Sequence, residues 1–88
     1  MKKIKLFYLK NCPYCKAAMR YLDELMVEEP YASLDIEFIE ETIQKELADS
    51  YDYYYVPSLY YQEKKYHEGA INKDELKTVL DAILNEDK

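Results

Sequence analysis

Cysteine is scarce in this 88-residue chain: there are two, Cys12 and Cys15, three positions apart. So close a pair cannot form the disulfide framework that staples small secreted domains together, so the two thiols are there for reactivity or for metal. Histidine is scarcer still, with His67 alone and far along the sequence. No second pair of soft ligands completes a tetrahedral zinc site within one chain, and no resident metal is expected. Long apolar runs are also missing. Nothing approaches the roughly 20 residues needed to cross a bilayer, and the apolar opening stretch is broken by Lys10 and Asn11 with no small-residue cleavage site after it. A soluble, cytoplasmic protein is the expectation, and in that compartment a disulfide is transient. Positive charge is in deficit, twelve basic residues against eighteen acidic for a net charge of −6. Nucleic acid and membrane surfaces are therefore disfavoured as partners. No repeat, linker or low-complexity segment interrupts the chain, which reads as one domain over residues 1–88, built around one modest core and expected to be a monomer.

What is present falls into a regular order. Ile4 to Leu9 is apolar at nearly every position and rich in β-branched and aromatic residues, the mark of a strand buried on both faces. Pro13 then sits where a helix can begin, and Ala17, Ala18, Tyr21, Leu22, Leu25 and Met26 recur at helical spacing until Pro30 stops the run. Leu34, Ile36 and Phe38 alternate with Asp35 and Glu37 in a second strand. The unit is βαβ, whose crossover is right-handed with parallel strands. Thr42 to about Tyr51, with Ile43, Leu47 and Tyr51 on one face, predicts a short helix. Ser58 to Tyr61 is a third strand, Gln62-Glu63-Lys64 a polar turn, and Lys65-Tyr66-His67 a fourth strand completing a hairpin. After Gly69 breaks the chain, Asn72 caps a last helix with Glu75 three residues on, and Leu76, Val79, Leu80, Ile83 and Leu84 form its apolar stripe. The order βαβαββα predicts an α/β fold with a four-stranded mixed sheet flanked by three helices.

A strand feeding Cys-x-x-Cys at the start of a helix places the first sulfur against unpaired backbone N–H groups and the positive end of the helix dipole. Both favour thiolate over thiol. Such sites lower a cysteine pKa from about 8.5 into roughly 3.5–7.5, which makes Cys12 the expected nucleophile. Cys15, one helical turn on, can attack a mixed disulfide held on Cys12 and resolve it. Pro13 needs no backbone N–H there and favours helix initiation. Two other readings stand beside this one: cysteines that merely fill space near a helix start, and a dimeric metal or iron–sulfur carrier in which two chains share the thiolates.

Cys12-Pro13-Tyr14-Cys15, in its strand-then-helix setting, resembles the dithiol glutaredoxin active site of the thioredoxin superfamily. The likeness covers the whole chain in element order. Val56-Pro57, just before the third strand, matches the Val-Pro at which that superfamily carries a cis-proline facing the two sulfurs. The resemblance implies that Pro57 is cis and that the Val56 backbone is free to pair with an extended substrate. It further implies a thiol–disulfide oxidoreductase of cell redox homeostasis and electron transport, acting on disulfide-containing proteins or glutathione mixed disulfides with no bound cofactor. The tail departs from the glutaredoxin pattern. Where that family carries Gly-Gly, a small residue and Asp to hold the γ-glutamyl end of glutathione, Gly69-Ala70-Ile71-Asn72-Lys73 stands, closer to the opening of the last thioredoxin helix. The reductant is accordingly glutathione, as a co-substrate, or a thioredoxin-reductase-like flavoenzyme.

Lys10 lies near where glutaredoxins place a lysine for the glycyl carboxylate, with the register off by one, and reads equally well as an exposed lysine at a strand end. Six of the eleven tyrosines lie between Tyr51 and Tyr61. Either alternate ones pack in the core with hydroxyls at its edge, or Tyr14, Tyr54 and Tyr55 form an aromatic rim for a partner's peptide. Of these, Tyr14 is expected to touch substrate. His67 is expected to be exposed.

Overall fold

The structure, a computed structural model, describes residues 2–86. Its elements run β1 (Ile4–Tyr8), α1 (Pro13–Leu25), a short 3-10 turn (Tyr31–Ser33), β2 (Ile36–Glu40), α2 (Lys45–Asp49), β3 (Ser58–Tyr61), β4 (Lys64–Glu68) and α3 (Lys73–Glu86). The four strands form one mixed sheet in the order β2-β1-β3-β4. β1 is parallel to β2 and antiparallel to β3, which is antiparallel to β4. This is the four-stranded mixed α/β sheet with three helices that the element order predicts, and the thioredoxin-like, glutaredoxin-type fold that the resemblance implies.

The apolar run of β1 explains its central place, because a strand with neighbours on both edges and layers on both faces has no side open to water. Ile4 and Leu6 face one layer, where they join Ala18 and Leu22 of α1, Leu59 and Tyr61 of β3, and Leu76, Leu80 and Ile83 of α3. Phe7 faces the other, with Ile39, Ala48 and Tyr60, and Leu47, Tyr51 and Tyr53 close over them. Buried apolar area on this scale stabilises at about 25 cal/mol per Å².

Three differences from the sequence reading have local causes. β2 lies at the sheet edge, and its faces divide differently from the simple alternation: Leu34 is buried just ahead of the strand, Phe38 is 45% exposed and meets Tyr8 edge-on, and Ile39 is fully buried on the opposite face. α2 is shorter than expected, Lys45–Asp49 rather than 42 to about 51. Its missing first turn is taken by the Glu40 carboxylate, which accepts from the Thr42 backbone N–H at 2.6 Å and from its hydroxyl at 2.8 Å, so the chain turns there instead of coiling. The helix ends two residues early, and Tyr51 lies tilted against Phe7, with ring centroids 4.9 Å apart. The hairpin turn is two residues, not three. Gln62 (φ 51°) and Glu63 (φ 66°) both take left-handed backbone, the geometry that matches strand twist, and Lys64 joins β4.

The predicted cap of α3 is present in full. The Glu75 backbone N–H donates to Asn72 Oδ1 at 2.7 Å, while the Asn72 N–H donates to Glu75 Oε1 at 3.0 Å. Two donors of the first turn are thus satisfied reciprocally.

Candidate functional site

β1 ends at Tyr8, and the turn that follows is closed by the Cys12 backbone N–H donating to Leu9 O at 3.2 Å. Cys12 is the N-cap of α1, with extended backbone (φ −84°, ψ 118°), and Pro13 occupies the first turn. A proline is suited to that place because its missing N–H would have had no helical partner. The Lys16 N–H donates to Cys12 O at 3.0 Å, opening the helical ladder. The side chain of Cys12 acts as the cap: its Sγ accepts from the Cys15 backbone N–H at 3.4 Å.

The two free thiols sit in unequal surroundings. Cys12 is partly exposed, whereas Cys15 is only 1% exposed. Burial pushes the Cys12 thiol up, but the Cys15 side chain and the backbone N–H groups of Cys15 and Tyr14 outweigh it, and the net shift is downward. Burial pushes the Cys15 thiol up to about 12, with the neighbouring Cys12 charge adding to the rise. One sulfur is set to ionise and the other to stay protonated.

Lys10 and Cys12 share a hollow of about 400 Å³ whose other walls are Leu9, Asn11, Glu40 and Thr42. Tyr14, Val56 and Pro57 stand outside that hollow. Tyr14 is 61% exposed, Val56 is half-buried and Pro57 is buried. The Val56–Pro57 peptide is cis, and so is Glu29–Pro30. Pro57 O accepts from the Gly69 N–H at 2.9 Å, and Tyr55 O accepts from the Ser58 hydroxyl at 2.5 Å. Gly69 takes φ +94° at this corner, a conformation that favours glycine.

The tyrosines divide into packed and exposed sets. Tyr51, Tyr53 and Tyr60 surround Phe7 at centroid distances of 4.9, 5.0 and 5.8 Å. Their hydroxyls reach the edge of the cluster, donating to Glu63 (3.2 Å), Glu41 (2.9 Å) and Asp52 O (2.5 Å) respectively. Tyr54 and Tyr55, by contrast, are 87% and 71% exposed. His67 is half-buried rather than exposed, its Nε2 lying 3.0 Å from Ala70 O.

Carboxylates are the residues that the sequence reading missed. Glu40 builds one wall beside Cys12, and its hydrogen bonds from Thr42 hold its carboxyl below the ordinary range. Glu41, bonded by Tyr53, is near enough for its charge to push both thiols upward. Glu68 accepts from the backbone N–H groups of Tyr54 and Tyr55. The one sequence signal was the Glu40-Glu41-Thr42 run at a strand end, where a hydroxyl and adjacent carboxylates can turn the chain. Among the described residues, no three His, Cys, Asp or Glu are grouped to hold a metal ion. No helix among them is long and apolar enough to cross a membrane.

A family model described as Glutaredoxin matches residues 4–67, a stretch that holds both cysteines and Val56-Pro57 and ends before Gly69. No curated protein matches the chain. A solved structure described as that of a malarial protein superposes with a TM-score of 0.71 over 91% of this chain and 93% of that one. At 13% identity this is a likeness of fold alone.

Proposed function

Because the chain belongs to the glutaredoxin family, we propose that it is a dithiol oxidoreductase that reduces protein or glutathione mixed disulfides through Cys12 and Cys15. The observation that carries this reading is the inequality of the two sulfurs, a capped and partly exposed Cys12 beside a buried Cys15 held as thiol.

The chemistry follows from that inequality. The Cys12 thiolate attacks one sulfur of a substrate disulfide, forming a Cys12–substrate disulfide and expelling the other half as a thiolate that takes a proton from water. With Cys12 bound, its charge no longer opposes ionisation of Cys15. Cys15 then gives up its proton and attacks Cys12 Sγ, so the second substrate sulfur leaves as a thiol and an internal disulfide remains. Two electrons pass from the protein dithiol to the substrate.

Lys10, in the hollow beside Cys12, supports an anionic group there, as the glycyl carboxylate of glutathione would supply. The stretch after β4 offers that molecule little at its other end. Ile71 is buried, and the Asn72 side chain and the Glu75 carboxylate are engaged with one another's backbone in the helix cap. That supports a flavoprotein reductase as the electron donor. Oxidised protein offered glutathione, or a thioredoxin reductase with its nicotinamide cofactor, separates the two by the rate at which the Cys12–Cys15 disulfide is reduced.

Cys12→Ser tests the central reading in an insulin or bis(2-hydroxyethyl) disulfide reduction assay. The expected result is loss of activity with both substrates, and undiminished turnover would overturn the reading.

A further inference from the structure

Glu68 has a set of partners that neither the thiol chemistry nor the core accounts for. It ends β4 directly opposite Ser58, the residue after Pro57. From there its Oε2 accepts from the Tyr54 N–H at 2.5 Å and the Tyr55 N–H at 3.0 Å, while Oε1 accepts from Lys65 Nζ at 2.7 Å. Lys65 Nζ also donates to Asp52 O at 3.1 Å. One carboxylate and its lysine therefore tie the segment entering Val56-Pro57 to the sheet. Charge-assisted bonds of this kind are shorter and stronger than neutral ones. The Glu68 side chain is 19% exposed.

The bonds have a consequence for what the segment presents. With their N–H groups turned inward onto Glu68, Tyr54 and Tyr55 offer a partner their rings, and those rings are among the most exposed apolar groups of the molecule. Aromatic side chains held on a fixed backbone bind with little further loss of freedom. We infer that Glu68 is a positioning residue for polypeptide substrates, holding Tyr54 and Tyr55 as a fixed aromatic platform beside the cis-proline. This rests on the dithiol reading of Cys12 and Cys15. A polypeptide disulfide has neighbouring residues to lay on the two rings, whereas bis(2-hydroxyethyl) disulfide carries nothing to place there. Glu68 thereby discriminates between substrates without touching either sulfur.

The test is a single-turnover measurement on pre-reduced full-length protein, wild type, Glu68→Gln and Glu68→Ala, with a disulfide-bridged peptide and with bis(2-hydroxyethyl) disulfide. Loss of the protein's two free thiols is followed by mass. Glu68→Ala is expected to raise the half-saturating peptide concentration about tenfold, the scale of one or two lost charge-assisted bonds. Its limiting rate and its reaction with the small disulfide stay as in the wild type. Glu68→Gln, which keeps one acceptor oxygen, is expected to fall between. Equal losses with both disulfides, or no loss with the peptide, would overturn the positioning role. A wild type inert toward both would instead overturn the dithiol reading. Should Glu68→Ala not fold, the wild type still decides: the Tyr54 and Tyr55 amide protons must shift together as Glu68 titrates below pH ~4. Amide shifts that stay flat there overturn the role.

Discussion

The Cys15 backbone N–H donates to Cys12 Sγ across 3.4 Å, so the second cysteine stabilises the first as a thiolate while keeping its own sulfur inside the fold. At pH 7, iodoacetamide is therefore expected to modify Cys12 alone. The alkylation rate should rise with pH and level off below the ordinary thiol range, since only the thiolate attacks. Peptide mapping by mass spectrometry checks this, and label on Cys15 of the native protein would contradict it.

Removing the sulfur proposed to resolve the mixed disulfide should stop the reaction halfway. Cys15→Ser retains the capping N–H, which belongs to the backbone, and so keeps a reactive Cys12. Treated with glutathione disulfide, it is expected to hold one glutathionyl group per chain, visible as an intact-mass adduct that persists. An adduct that clears as fast as in the wild type would mean that Cys15 is not what releases it.

Acid should weaken the fold through two carboxylates. The Lys65 ammonium and the N–H groups of Tyr54 and Tyr55 hold Glu68 down to about 2, and Thr42 holds Glu40 low as well. Both are depressed in the folded state, so their stabilisation is complete above the unfolded value of about 4.3 and is lost as pH falls toward 2. Tm by circular dichroism should drop over that interval, and Glu68→Gln should drop less steeply. Parallel profiles for the two proteins would count against Glu68 as a contributor.

The α3 cap offers a measurement far from the sulfurs. Asn72→Ala deletes the acceptor for the Glu75 N–H and should cost about 1 kcal/mol in urea denaturation with an unchanged m-value. Reaction of Cys12 with iodoacetamide should be unaltered by it.

Which features could be read from the chain depends on how far apart the interacting groups lie. The Asn72 and Glu75 pair, Pro13 after Cys12, and the run of β1 are legible because each is a local pattern with a local cause. The cis peptide at Pro57 was expected through the family resemblance, whereas that at Pro30 had no such motif to mark it. Only the Lys65 partner of Glu68 is local; its other two are backbone amides thirteen and fourteen positions away that carry no residue signature, so its tie to Tyr54 and Tyr55 could not be read. The same holds for Phe38 and Ile39. Period-two alternation names two faces, but only the sheet order shows that β2 has a neighbour on one side alone and that Ile39 turns toward Phe7. The tyrosine run was ambiguous because burial there follows from Phe7, a residue more than forty positions earlier.

The two layers on either side of the sheet are of unequal strength. One gathers eleven buried residues from α1, α3, the strands and the segments leading into β2 and α3; the other gathers four, from three strands and a five-residue helix. Partial opening follows the weaker layer, so amide exchange should be fastest through α2 and the residues before Tyr53 while α1 stays protected. The helix that carries the sulfurs is then the fixed part of the machine, and the layer that gives is the one in which Tyr53 holds Glu41, the carboxylate whose charge reaches both thiols.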